Sequence, residues 1–327
     1  MLLTATPETN TRLNVSPIVL LRQSTALVRL DRAADNGALV RIARGVYADA
    51  AEWHDLPPWS RYLTRVHATA LLRPDAVFSH ESAAALLGLP VFGHPPEVHV
   101  LRDPLGTSRA QAGVREHTTV DLRDVLHVDG IMVTTPEETA VDIARARHPA
   151  VAIAVSDAVL RSDRSLTCER LREANLRRAS SRGRRHGERA IVAANPLAET
   201  PLESVSRAAI DWLGFASPEL QHVLTTPDGR ERRLDFLWRR EAIAGEADGR
   251  SKYDGRFGDP SLLAFNEKRR EDSLRRVLRG FARWGWSELQ HPGELRGILL
   301  DAGLKPQEPA HLALLGSLRR ALTGAPR

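Results

Sequence analysis

The chain of 327 residues has a single cysteine, Cys168, and no long apolar run. One cysteine excludes a disulfide framework and favours a cytosolic protein. No stretch of about 18 consecutive apolar residues occurs, so the sequence predicts no membrane-spanning helix. The N-terminus has no charged region followed by an apolar run, so no signal peptide is expected. We therefore expect a cytoplasmic protein that does not interact with a membrane.

Lysine is also scarce, because Lys252, Lys268 and Lys305 are the only lysines among 46 basic residues. We interpret the arginine excess mainly as the coding bias of a GC-rich genome, so the arginine count alone says little about function. The net charge of +5 and the isoelectric point of about 9.9 permit nucleic-acid binding. The hydrophobic content of 42% indicates a globular protein, and the length fits two or three domains.

Changes of pattern along the chain predict an α+β multidomain protein. The predicted segments are a helix-plus-hairpin module at 1–55, a central α/β domain at 56–150, a helical basic linker at 151–195, a third domain at 196–305 and a tail at 306–327.

The first module has the pattern of a winged helix. A run with helical apolar spacing ends at Asn36-Gly37, and an alternating run follows that turns at Arg44-Gly45. A winged helix would place its helix in a DNA groove, while Arg41 and Arg44 would contact phosphates. The alternative is a small structural cap with solvated arginines.

The central domain contains histidines on short apolar runs. His80 and Glu81 follow Ser79 at a predicted helix start, where capping and packing explain them better than catalysis does. Two further histidines, His99 and His117, lie on runs that are typical of strands. The spacing of these histidines does not predict a zinc site. Thr135, Pro136 and Glu138 predict a capped helix start.

The densest basic run of the chain lies in the segment 151–195, where "SSRGRRHGERA" has the composition of a loop. Its candidate DNA-binding residues are Arg182, Arg184 and Arg185. They would follow a phosphate backbone, or they would be solvated residues of a linker.

The segment 196–305 gathers acids at strand ends. The predicted order is a helix capped by Thr200, three strands, a long amphipathic helix at 260–281 and a last strand in "RWGWSEL". Asp235 lies in the second strand, and Glu246 and Asp248 end the third. Carboxylates side by side are the ligands that Mg²⁺ prefers, and hydrolysis of a phosphodiester uses such an ion. Glu203 and Lys252 are the further catalytic candidates, and solvated strand ends are the alternative.

Two resemblances add to these patterns. The motifs "GALVRIARGVYA", "FSHESAAALLGLPVFG" and "GIMVTTPEETAVDIAR" resemble the AbiEi-type antitoxins of type IV toxin–antitoxin systems. This resemblance implies a winged-helix N-terminus that binds promoter DNA, a domain linked to antitoxin action, and a cognate toxin as partner.

The motifs "TPLESVSRAAIDWLG" and "RRLDFLWRREAIAGEADGRSKY" resemble the PD-(D/E)XK nucleases, closest to very-short-patch-repair-like endonucleases. This resemblance implies a restriction-endonuclease core with Asp235 and Glu246 as the Mg²⁺ ligands and Glu203 as the acid of the first helix. The motif lysine position holds Asp248 instead, and Lys252 would substitute from the loop.

Three functions follow from these patterns. The first is a DNA-binding regulator of antitoxin type that keeps a nuclease-like domain. The second is an active Mg²⁺-dependent DNA endonuclease, and the third is a non-catalytic module that binds a partner protein.

Overall fold

A computed structural model describes residues 3–5, 12–23, 30–102, 108–227, 229–248, 274 and 277–324, with side chains from residue 12 onward. The fold is mixed α/β with several sheets, which agrees with the predicted class at that level. The chain divides into two compact units: the first combines Met1–Arg147, Ser165–Val192 and Thr323–Pro326, and the second combines His148–Arg164 with Ala193–Leu322.

The first unit contains two sheets and the helices around them. Its strands are β1 (Leu3–Ala5), β2 (Leu21–Arg22), β3 (Leu39–Ala43), β4 (Val46–Asp49), β5 (Val77–Phe78), β6 (Val98–Arg102), β7 (Arg109–Gln111), β8 (Val114–Thr118), β9 (Arg123–Val128) and β10 (Ile131–Thr134). Its helices are α1 (Leu30–Asp35), α2 (Ala50–Asp55), α3 (Pro58–Leu72), α4 (His80–Leu86), α5 (Pro136–Ala146), α7 (Cys168–Arg177) and α8 (Arg184–Val192).

The second unit contains one sheet. Its strands are β11 (Glu219–Thr225), β12 (Glu231–Trp238), β13 (Ile243–Ala247) and β14 (Gly280–Trp284), and its helices are α6 (Pro149–Ser162), α9 (Pro201–Trp212), α10 (Trp286–Gln290), α11 (Pro292–Asp301) and α12 (Leu312–Thr323).

The small sheet of the first unit has the strand order β2-β4-β3 and contains the predicted hairpin. Helix α1 ends where Gly37 adopts a φ of +77°, and the hairpin turns at Gly45 with a φ of +72°. Both are the turns expected from the sequence. The Tyr47 hydroxyl of β4 donates a hydrogen bond to Asp31 of α1, which ties the helix to the hairpin.

The large sheet of the first unit has the order β1-β9-β10-β5-β6-β8-β7. Helices α3 and α4 pack against it through a buried core that includes Tyr62, Phe78, Leu86 and Val133. At the start of α5 the Thr135 hydroxyl accepts the Glu138 N–H at 3.3 Å, which confirms the predicted cap.

The sheet of the second unit has the order β11-β12-β13-β14, with antiparallel pairs except for the parallel pair β13 and β14. The helix before it and the three predicted strands are confirmed as elements. The predicted last strand in "RWGWSEL" was placed wrongly: the strand ends at Trp284 and α10 begins at Trp286. The predicted helix at 260–281 lies largely outside the described residues.

The structure divides the segment 151–195 between the two units. Helix α6 packs against α9 of the second unit, whereas α7 and α8 pack against α5 of the first. The prediction of loop for "SSRGRRHGERA" is wrong from Arg184 onward, where α8 begins. Each of these helices buries one face in a unit, so they do more than join two domains. Within the described parts of the chain, no helix has the length and apolarity needed to cross a membrane.

Candidate functional site

Asp235 and Glu246 lie on one face of the second unit's sheet. Strands β12 and β13 pair antiparallel with Phe236 opposite Gly245 and Leu237 opposite Ala244. The same register, continued by one residue beyond these pairs, places Asp235 opposite Glu246. Side chains of directly opposed residues project to the same face, with Cβ atoms roughly 4.5–5.5 Å apart. The strand pairing therefore brings together the two acids that the sequence predicts as metal ligands.

Both carboxylates have protein partners. The Ala247 N–H donates to Oδ2 of Asp235 at 3.0 Å, and Arg283 donates to Oε2 of Glu246 at 3.1 Å. Arg283 is the register partner of Glu246 on the parallel strand β14. Arg283 was not among the predicted site residues, because a parallel pair joins strands with no fixed separation along the chain. Carboxylate oxygens suit Mg²⁺, and a cation bound here would compete with Arg283 for Glu246.

Glu203 begins α9 and acts first as a cap. Its carboxylate accepts hydrogen bonds of 2.8 Å from the Glu199 N–H, the Thr200 hydroxyl and the Gln221 amide. Burial raises the pKa of Glu203, and the negative charge of Asp235 adds to the rise, while these hydrogen bonds oppose it. The electrostatic coupling means that Glu203 lies near Asp235.

Asp248 and Lys252 are the remaining catalytic candidates. Asp248 is half-buried, its N–H donates to the Trp284 carbonyl at 2.8 Å, and it lines a cavity of about 530 Å³ with Arg283 and Trp286. Lys252 lies outside the described residues. Among the candidates that the structure describes, Asp235 and Glu246 lie on paired strands, and Glu203 interacts electrostatically with Asp235.

The candidate DNA-binding arginines occupy different surroundings. Arg41 and Arg44 are exposed on the hairpin of β3 and β4. Arg182 and Arg185 are also exposed, whereas Arg184 is half-buried and donates to the Arg178 carbonyl at 2.8 Å.

Arg178, in the same basic run, belongs to a buried ion network. Its side chain is 6% exposed and donates to Glu138 and, at 3.4 Å, to Asp142. Arg123 of β9 contacts the same two acids, with 2.7 Å between its Nε and Oε2 of Glu138. Arg178 is therefore not a solvated linker residue, because its side chain is packed into the first unit.

Three histidines of the first unit meet at one point. His80 begins α4, His99 lies on β6 and His117 lies on the neighbouring parallel strand β8. Leu101 pairs with His117, and His99 shares the face of Leu101, so both strand histidines point to one face of the sheet, opposite to the face on which Val98 and Val100 pack in the core with α3 and α4. Among the described residues, these three form the only group of three or more metal-ligating side chains whose ligand atoms lie within 4.8 Å of one another.

The contacts within the cluster are close. Nδ1 of His99 lies 2.8 Å from Nε2 of His117, and the rings of His80 and His117 stack with centroids 4.1 Å apart. Ser79 is the N-cap residue of α4, as expected, but its hydroxyl lies 3.0 Å from Nδ1 of His80 and makes no capping hydrogen bond to the helix.

Burial controls the charge of the cluster. It lowers the pKa of His80 to about 3 and that of His99 to about 4, and it also lowers the pKa of His117. Neighbouring Asp142 and Glu81 oppose these shifts without cancelling them. The three imidazoles are therefore neutral at pH 7. In the sequence these residues are recognisable only as three histidines on apolar runs. The pairing of β6 with β8 brings His99 and His117 together, and His80 joins them from the start of α4.

Comparison with known proteins gives one family match and two relatives. Residues 75–191 match the AbiEi antitoxin C-terminal domain. Two Mycobacterium tuberculosis proteins, the uncharacterized protein MT2308 of strain CDC 1551 / Oshkosh and the uncharacterized protein Rv2248 of strain ATCC 25618 / H37Rv, are each 35% identical to this chain over 226 residues. The aligned region covers 67% of this chain and 76% of each relative. The chain belongs to the family of these mycobacterial proteins.

In this family member, the region that matches the antitoxin domain includes the histidine cluster and Arg182, Arg184 and Arg185, and it begins after Arg41 and Arg44. It ends before Glu203, Asp235 and Glu246. No solved structure matches the chain.

Proposed function

We propose that this protein is an antitoxin-type regulator that binds DNA through its N-terminal module and a cognate toxin through the domain that follows. The match of residues 75–191 to the AbiEi antitoxin C-terminal domain is the observation that carries the proposal. The module of residues 12–55 would act as the winged helix that the antitoxin resemblance implies.

Several features of the N-terminal module support DNA binding. Helix α1 precedes a hairpin whose exposed side carries Arg41 and Arg44, the order expected of a helix and its wing. The Asp31–Tyr47 hydrogen bond fixes the hairpin against the helix. A fixed hairpin positions its arginines for phosphates without a large loss of conformational entropy.

A titration of the DNA upstream of the protein's own coding sequence tests this proposal. We expect Arg41→Ala with Arg44→Ala to weaken binding at least about tenfold. We also expect the slope of log affinity against log salt to flatten by about 2, because each lost phosphate contact removes about 0.9. The measurement is a fluorescence-anisotropy titration over a salt series.

The matched control is Arg296→Ala with Arg320→Ala, which removes the same charge from exposed positions on α11 and α12. Its salt slope should equal that of the wild type. An unchanged affinity and slope in the hairpin double variant would remove the DNA-binding assignment from this module. A second double variant, Arg182→Ala with Arg185→Ala, then tests the start of α8 in the same assay.

A second candidate function is Mg²⁺-dependent hydrolysis of DNA in the second unit. The opposed positions of Asp235 and Glu246, with Glu203 close to Asp235, favour it. Asp235 and Glu246 would hold the cation, and Arg283 would supply the positive charge that Asp248 removes from the motif lysine position. The cation would activate water and neutralise the charge that develops on the phosphate.

Supercoiled plasmid incubated with the full chain in Mg²⁺, Mn²⁺ or EDTA tests this candidate. We expect metal-dependent nicking that Asp235→Ala and Glu246→Ala abolish. Glu231→Ala, an exposed acid at the start of the same strand β12, should nick as the wild type does. Absence of nicking by the wild type, or undiminished nicking by Asp235→Ala, would refute a catalytic centre at these acids.

A further inference from the structure

The histidine cluster of the first unit has the donors of a transition-metal site and no part in the functions above. Neutral imidazole nitrogen is the commonest protein ligand of Zn²⁺ and its neighbours in the first transition series. Three such rings converge from α4, β6 and β8 with ligand atoms within 4.8 Å of one another. The hydrogen bond between Nδ1 of His99 and Nε2 of His117 holds two of these nitrogens together, and a shared cation would take its place as their common partner.

The outer nitrogens of two rings are turned towards carboxylates. Nδ1 of His80 lies 3.9 Å from Asp142 and 3.0 Å from the Ser79 hydroxyl, and Nε2 of His99 lies 3.5 Å from Glu81 and 3.3 Å from the Arg147 guanidinium. Metal-binding histidines usually present one nitrogen to the ion and the other to a carboxylate or carbonyl, which fixes the tautomer and the ring orientation. This arrangement leaves Nε2 of His80, Nδ1 of His99 and Nε2 of His117 as the ligand atoms.

The two carboxylates are themselves held in place. Arg147 pairs with Glu81, and Arg123 and Arg178 hold Asp142. The acids therefore orient the imidazoles and remain outside the ligand set. Tetrahedral zinc separates two nitrogen ligands by roughly 3.3 Å, given a zinc–nitrogen distance of about 2.0–2.1 Å. Binding would widen the 2.8 Å separation of His99 and His117 by about half an ångström.

A cavity of about 450 Å³ adjoins the cluster. His80 and His117 line it, together with Arg115, Arg145 and Arg182. Three protein ligands leave the fourth position of a tetrahedral ion to water or to an exchangeable ligand, as in catalytic zinc sites. The arginines make the cavity suitable for an anion with several oxygens, because guanidinium groups bind phosphate and carboxylate.

We propose that His80, His99 and His117 bind one divalent transition-metal ion of the zinc class, whose open coordination position faces the arginine-lined cavity and accepts an oxyanion such as phosphate. The site is independent of the DNA-binding module and of the acids of the second unit. Its failure would therefore leave both candidate functions untouched.

The test uses the full chain after removal of metals with a chelator. Calorimetric titration with Zn²⁺ should show one equivalent bound. Co²⁺ should give the intense visible absorption of four- or five-coordinate cobalt, which octahedral cobalt in solution lacks. His117→Asn should weaken the affinity for Zn²⁺ at least about 100-fold, since losing only an outer partner of a ligand costs roughly 10–100-fold.

His117 is the most exposed of the three histidines, which makes His117→Asn the variant best tolerated by the fold. The control is His127→Asn, an exposed histidine on β9 that should bind zinc as the wild type does. Without metal, the Tm of His117→Asn should match that of the wild type, and only the wild type should show a higher Tm when zinc is added. No bound equivalent, or equal affinity in wild type and His117→Asn, would overturn the metal site.

The open position is tested on the cobalt-loaded protein. Adding inorganic phosphate should shift the visible absorption of wild type and of His127→Asn, because phosphate would replace the fourth ligand. An unshifted spectrum up to millimolar phosphate would overturn the oxyanion part of the proposal while the ion itself remains bound.

Discussion

At the scale of single residues, neighbouring arginines of one basic run have opposite environments. Arg178 is buried against Glu138 and Asp142, while Arg182 and Arg185 are exposed. The identity of the residue does not distinguish these roles. The distinction depends on which side chains reach the acids of α5: Arg178 does so from the C-cap of α7. Arg178 therefore contributes to stability, and the exposed arginines are the ones open to a partner.

We expect Arg178→Ala to lower the free energy of unfolding of the first unit by about 3–5 kcal/mol. The substitution leaves Glu138 and Asp142 buried with one cation fewer, and breaking a buried ion network costs that much because uncompensated charge remains. Chemical denaturation followed by circular dichroism measures the change. Arg185→Ala is the control and should stay within about 0.5 kcal/mol of the wild type. Equal stability of the two variants would contradict the structural role of Arg178.

At the scale of elements, α6 is an apolar helix with a carboxylate at its buried centre. Its residues from Ala150 to Leu160 are buried, and Asp157 is fully buried among them. Asp157 accepts a hydrogen bond of 2.7 Å from the Asn195 N–H and one of 3.1 Å from Arg207 of α9. Burial raises the pKa of Asp157, and the charge of Arg207 opposes the rise. This one side chain thus connects α6 both to α9 and to the chain before it.

We expect Asp157→Ala to destabilise the second unit by about 3–5 kcal/mol, because it leaves the half-buried Arg207 without its acid and the Asn195 N–H without its acceptor. Asp157→Asn retains an acceptor for that N–H and should lie between Ala and wild type. Urea denaturation of the full chain measures both. Asp211→Ala, an exposed acid on α9, should change stability by less than about 0.5 kcal/mol. A loss that small in Asp157→Ala would contradict the bridging role.

The misplaced strand in "RWGWSEL" is also explained at this scale. Trp284 and Trp286 alternate with small or polar residues, which is the pattern of a strand. The Gly285 N–H donates to Glu288 at 2.6 Å, and this contact starts a helix at Trp286, two residues after Trp284. The capping hydrogen bond thus begins a helix where the alternation of apolar and polar residues predicts a strand.

At the scale of the whole molecule, the chain passes from the first unit to the second at His148, returns at Ser165 and leaves again at Ala193. Each unit is therefore assembled from separate segments. Dividing the sequence by composition assumes that each domain is one contiguous segment. Residues 151–195 were therefore predicted to be a linker. In the structure these helices complete a core in one unit or the other, because each has an apolar face that must be buried.

The sequence by itself determined the local elements of this protein. Thr135 and Thr200 start helices, Gly37 and Gly45 form turns, and alternating runs form the strands of the second unit. These signals act within a few residues, since caps and turns are hydrogen bonds between near neighbours in the chain. The placement of Asp235 and Glu246 on neighbouring strands was also predictable, because strands joined by a short connection pair with each other.

Only the tertiary structure decided which distant side chains meet. His80, His99 and His117 converge from a helix and two strands, Arg283 reaches Glu246 across a parallel pair, and Arg178 is buried against α5. Parallel strands and helix packing join segments with no fixed separation along the chain, so residue spacing carries no signal for them. Burial then set the charge of those side chains, since the loss of water lowers the histidine pKa values and keeps the rings neutral.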